Sequence, residues 1–70
     1  MQFNDNVEKY RIDKWLFAAR FFKTRSLAAD AIERGRVILN EQRVKPAKVV
    51  AVGDTLTIRI GNAQYVIKVL

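Results

Sequence analysis

The chain has neither cysteine nor histidine among its 70 residues. No disulfide can staple it, and neither thiolate nor imidazole is available to hold a metal. Only carboxylates remain as metal ligands, and they are scattered, so a structural zinc site of the usual kinds is excluded. The same absences remove the commonest general base and the thiol nucleophile. Proline occurs once and glycine three times, and the glycines form no phosphate-binding loop pattern. No apolar run approaches the roughly 20 residues that cross a bilayer. The start, Met1-Gln2-Phe3-Asn4-Asp5-Asn6, lacks the basic and apolar segments of a secretion signal. The expectation is a cytoplasmic, non-enzymatic protein with no metal, no cofactor and no membrane partner.

What is present is hydrophobic residue and positive charge. Half of the chain is hydrophobic, which argues for a folded domain rather than disorder. Its length suits one small domain, which buries roughly 60% of its unfolded surface. Net charge is +6, and it is local. Residues 9–48 hold eleven basic and four acidic side chains, net +7, whereas residues 1–8 are net −2 and residues 49–70 net +1. Lys9, Arg11, Lys14, Arg20, Lys23, Arg25, Arg34, Arg36, Arg43 and Lys45 cluster in this way, and the asymmetry points to a polyanionic partner.

Residues 1–9 read as a flexible N-terminal arm and residues 10–70 as a single domain. Spacing predicts a first helix from Ile12 to Phe22. Ile12, Leu16 and Ala19 form one apolar stripe, Trp15, Ala18 and Phe22 an adjacent one, and Asp13 suits the positive end of the helix dipole. Phe17 and Phe21 cannot both join the main stripe. Thr24 is a good N-cap for a second helix from Arg25 to Arg34, with Leu27, Ala28, Ala31 and Ile32 facing the core and Gly35 ending it. Arg36 to Leu39 reads as a strand, Asn40-Glu41 as a turn, and Gln42 to Val44 as a brief return stopped by Pro46. Thr55 to Ile60 alternates in hydropathy, and Gly61-Asn62 is a two-residue turn. Pairing across it sets Ile60 opposite Ala63, Ile58 opposite Tyr65 and Leu56 opposite Ile67, with Tyr65 in the core. The fold class is α+β: two short N-terminal helices packed on a small, twisted, mostly antiparallel sheet.

The run Arg11-Ile12-Asp13-Lys14-Trp15-Leu16 resembles the opening of the S4-type RNA-binding domain. Thr24-Arg25-Ser26-Leu27-Ala28, then Ile32, Gly35, Val37 and Asn40, continue the pattern, and Pro46 and Gly53-Asp54 close it. Asp13 to Arg25 is similar in particular to the ribosome-associated heat shock protein 15 branch. The resemblance implies binding to ribosomal RNA on the free large ribosomal subunit, and recycling of subunits that still carry a nascent chain on tRNA. Two departures stand out. The family's common Asn-Gly turn is Asn40-Glu41 here, and that branch tends to carry a basic C-terminal extension, which the 70 residues do not include.

Candidate RNA-binding residues follow from charge and placement. Lys23, Thr24, Arg25 and Ser26 form the first-choice phosphate clamp, because a helix N-terminus is itself an anion site and a guanidinium fork matches phosphate oxygens. Arg11 and Lys14, three apart, are expected on one helix face. Arg34 and Arg36 flank Gly35, and Lys45 and Lys48 flank Pro46. The bland reading of Arg34 is an ion pair with Asp30. Trp15 and Phe22 are expected in the core, although aromatic side chains of this helix could stack on bases. The expected partner is structured RNA, ribosomal RNA first and tRNA second, bound by a protein that is monomeric when free. Two rivals stay open: an RNA-targeting domain of an RNA-modifying enzyme or tRNA synthetase, and a protein-binding or chaperone module.

Overall fold

The structure, a computed structural model, describes residues 10–70; the arm expected over residues 1–9 lies outside the described residues. Two helices, α1 (Ile12–Ala18) and α2 (Arg25–Glu33), precede three strands, β1 (Val37–Leu39), β2 (Thr55–Ile60) and β3 (Ala63–Lys68). The sheet order is β1-β2-β3, with both neighbouring pairs antiparallel. This is the α+β arrangement expected.

A seven-residue helix is marginal in water by itself; α1 is held by packing. Ile12 and Leu16 have no exposed surface, and each such burial contributes roughly 1.5–3 kcal/mol. The helix stops at Ala18, four residues short of the Phe22 expected. Arg20 takes a left-handed backbone at φ 69°, its N–H donates to the Phe17 carbonyl, and the Phe21 N–H reaches back to the Leu16 carbonyl. That is a Schellman ending. Consequently Ala18 and Ala19 are exposed rather than part of the apolar stripes.

Thr24 caps α2 as expected, its hydroxyl accepting the Leu27 N–H at 3.0 Å. The helix ends one residue early, with Arg34 as the C-cap. Gly35, at φ 76°, occupies the left-handed position, and its N–H and that of Arg36 close onto Ile32 and Ala31. Both helices thus end in the same motif, one on glycine and one on arginine. Ala28, Ala31 and Ile32 are buried, but Leu27 is 50% exposed. The inward stripe of α2 is narrower than expected and leaves Leu27 on its flank.

The core joins these residues to Val37, Leu39, Val50, Leu56, Ile58 and Val69, with Trp15, Phe21, Phe22, Val44 and Ile67 packed against it. The β2–β3 register is the one expected, including Ile58 opposite Tyr65. Tyr65 is nevertheless 45% exposed, and its ring meets that of Phe21 in an edge-type contact. Strand β1 begins at Val37, and the Gln42–Val44 return shrinks to a single bridge between Leu39 and Gln42. Asn40 and Glu41 between them both have positive φ, 50° and 66°, the backbone a tight hairpin turn requires.

Candidate nucleic-acid interface

The site is organised around a carboxylate. Asp13, in the first turn of α1, is 4% exposed. Its Oδ1 accepts the Lys14 backbone N–H at 2.6 Å. The Arg11 guanidinium donates to both carboxylate oxygens, from Nε at 3.2 Å and from Nη2 at 2.9 Å. From the start of α2, Nη2 of Arg25 approaches Oδ1 to 3.6 Å. A charge this buried is tolerable only when paired and hydrogen-bonded, and both conditions are met. Arg11 and Arg25, each with about a third of its side chain exposed (35%), are thereby gathered from two elements onto one surface. Arg11 is the N-cap of α1, with extended backbone, and the Asp13 carboxylate holds its guanidinium in place.

Lys23, Thr24 and Ser26 are exposed beside Arg25. The Thr24 hydroxyl accepts the Leu27 N–H and keeps its own hydrogen to donate, so Lys23, Thr24, Arg25, Ser26 and the remaining backbone N–H groups all present donors on this surface.

The loop carrying Lys45 and Lys48 is stitched to the same end of α1. The Ile12 N–H donates to the Lys48 carbonyl at 2.8 Å, the Asp13 N–H to Pro46 at 3.3 Å, and the Val50 N–H to Tyr10 at 2.8 Å. Lys45 and Lys48 are both exposed. Arg11, Lys14, Arg25 and this loop therefore belong to one basic region.

Arg34 and Arg36 do not join it directly. They lie at the other end of α2, about 13 Å along the helix axis from Arg25. Arg34 pairs with Asp30 at 2.9 Å across one helical turn, its bland reading. Arg36 is exposed and borders a shallow groove with Leu27, Arg59 and Gly61.

Three features escaped the reading of the sequence. The ion pair between Asp13 and Arg25, which links the two helices at 3.6 Å, is one of them. Arg43 crosses Gly35 and donates to the Glu33 carbonyl at 2.6 Å, capping α2. Asp54, in the Gly53-Asp54 turn, has a carboxyl held below its ordinary value of 3.8, first by the Ala51 N–H and then by Asn40, with Lys48 adding and burial opposing. Asn40 in turn accepts the Thr55 N–H and donates to Asp54, so it pins the β1 turn to the start of β2.

Residues 11–56 match the family model of the S4 domain. The chain belongs to the S4 domain family. Over 63 residues it is 51% identical to the heat shock protein 15 homolog of Haemophilus influenzae, covering 90% of this chain and 48% of that one. With heat shock protein 15 of Escherichia coli K12 it shares 60% identity over 52 residues, 74% of this chain and 39% of the relative. The RQC P-site tRNA stabilizing factor of Bacillus subtilis is 36% identical over 84% of this chain and 69% of its own. The solved heat shock protein 15 of Vibrio cholerae, described as trimeric, superposes with a TM-score of 0.78 at 52% identity, covering 80% of this chain and 57% of that chain. The chain spans about half or less of the length of the heat shock protein 15 relatives from H. influenzae and E. coli. The S4 match takes in Asp13, the Thr24 cap and the loop to Asp54, and it ends inside β2.

Proposed function

We propose that this S4 domain is a non-enzymatic, cytoplasmic RNA-binding module that docks on structured RNA by shape and backbone charge. The observation that carries the reading is Asp13, a buried carboxylate that gathers guanidinium groups from two elements onto one surface. Arg11, Lys14, Lys23, Arg25, Ser26, Lys45 and Lys48 supply the main contact surface around it, and Thr24 orders the helix start. Arg34 and Arg36 extend the contact from the far end of α2. Guanidinium forks take phosphate oxygens in bidentate fashion, while lysines act as mobile point charges. Structured RNA is read largely through phosphates and 2′-hydroxyls.

The target we propose is ribosomal RNA of the free large subunit, with the domain helping to recycle subunits that hold a nascent chain on tRNA. The names of the relatives support this, one family being called heat shock protein 15 and the other a stabilizing factor for P-site tRNA. Binding is tested by titrating the chain with purified large subunits across a salt series. About four to six neutralised phosphates give a slope of log affinity against log salt near −3 to −5. A binding constant that barely responds to salt overturns the reading. Crosslinking in cells, followed by sequencing of the attached RNA, tests the target: recovery of messenger RNA alone, with neither ribosomal RNA nor tRNA, refutes the ribosomal assignment. Charge reversal at Arg25 and Arg36 separates this reading from a protein-binding module, since RNA affinity collapses whereas an apolar interface is little affected.

A further inference from the structure

The end of α1 carries more aromatic surface than the core uses. Phe17 is 44% exposed. Phe21, held just beyond left-handed Arg20, meets Tyr65 of β3 edge-on, with ring centroids 5.9 Å apart and planes at 60°. Phe17, Ala18, Arg20, Phe21, Phe22 and Lys23 line an open depression of about 650 Å³, the scale of a small-molecule site (roughly 300–1,000 Å³). Three of its six lining residues are phenylalanines and two are cations. Arg20 and Lys23 have no ion-pair partner among the described residues.

A wholly apolar partner pressed into this depression would desolvate two unpaired charges, which is costly. A partner with flat apolar rings joined by anionic links complements both walls and cations. We propose that the depression receives one unpaired nucleobase of the bound RNA, stacked on Phe17 and Phe21, with the adjoining phosphates on Arg20 and Lys23. Tyr65 positions Phe21 through its edge contact. Such a site presupposes the RNA-binding reading above and deepens it: the basic surface reads backbone, and the depression selects an unstacked base. Lys23 belongs to both, so a strand leaving the depression passes directly onto the start of α2.

The test uses the full chain and two RNAs of equal charge, a hairpin with a single 2-aminopurine in its loop and a fully paired duplex. The wild type quenches the 2-aminopurine fluorescence on binding. Phe17→Ala weakens the hairpin about 5-fold to 160-fold, the range for losing one stacked base, with duplex affinity and salt slope unchanged. Crosslinking of the wild-type chain to a hairpin with 5-iodouridine in the loop gives a second readout that needs no variant. Attachment at Phe17, Phe21 or Tyr65 supports the site; attachment only elsewhere overturns it. Equal binding of hairpin and duplex with Phe17→Ala silent, or equal weakening of both, overturns the base site alone. Failure of the wild type to bind either RNA overturns the RNA-binding reading as well.

Discussion

The Asp13 carboxylate holds the Arg11 guanidinium through two hydrogen bonds, 2.9 and 3.2 Å long, from a position that is itself 4% exposed. Asp13→Asn keeps the shape and removes the charge. Hydrogen bonds to charged groups contribute about 1.5–3 kcal/mol, so urea unfolding is expected to show a loss of about 2 kcal/mol. Net charge rises by one, which alone would strengthen RNA binding. Positioning of Arg11 and Arg25 opposes that gain, and a weaker RNA affinity in a titration is the expected result. An unchanged or tighter affinity means that Asp13 does not organise the surface.

Thr24 orders the start of α2 through one hydrogen bond to the Leu27 N–H. Thr24→Ala loses about 1 kcal/mol, equivalent to roughly 4–8 °C in Tm for a domain of this size. Thr24→Ser keeps an oxygen in place and stays near wild type in the same thermal melt.

Arg20 and Glu41 both sit at positive φ, where a non-glycine residue costs roughly 1–2 kcal/mol. Glycine there relieves that cost but frees the unfolded chain by about 0.4–1 kcal/mol. Strain wins narrowly, so each glycine variant is expected to gain about 0.5–1 kcal/mol in denaturant melts. Their RNA affinities diverge. Glu41→Gly removes a negative charge and tightens binding, whereas Arg20→Gly removes a cation and weakens it.

Asp54 is pulled below its ordinary 3.8 by bonds made in the folded state. A lowered folded value means that its stabilising contribution is complete above the ordinary value and is lost as pH falls through the folded one. Wild-type stability should therefore decline with acid below about pH 4. Asp54→Asn is less stable at neutral pH and shows a flatter decline in that acid window, measured by urea unfolding over a pH series. Parallel curves for the two proteins would contradict the assignment.

Elements with a local signal were legible in the sequence. Thr24 and Gly35 marked both ends of α2 to within a residue, and period-two alternation around Gly61-Asn62 specified the β2–β3 register. The end of α1 was not legible, because arginine occupies the position glycine usually takes. Tyr65 was paired correctly but buried wrongly: register says which residues share a face, not how far the helices extend over it. Leu27 failed similarly, since helical spacing gives an arc without its width. Within the site, clustered charge marked the surface. The service of Asp13 to Arg25 joins residues twelve apart on separate helices, and no local pattern encodes it.

The backbone bonds from Tyr10, Ile12 and Asp13 to the segment from Pro46 to Val50 have a mechanical consequence. The lysine loop is clasped to the root of α1, so a push on one is transmitted to the other. Cations more than thirty positions apart in the chain thus keep a constant separation, like teeth on one key. A residue inserted between Val44 and Val50 leaves every charge in the protein and still changes the spacing of those teeth.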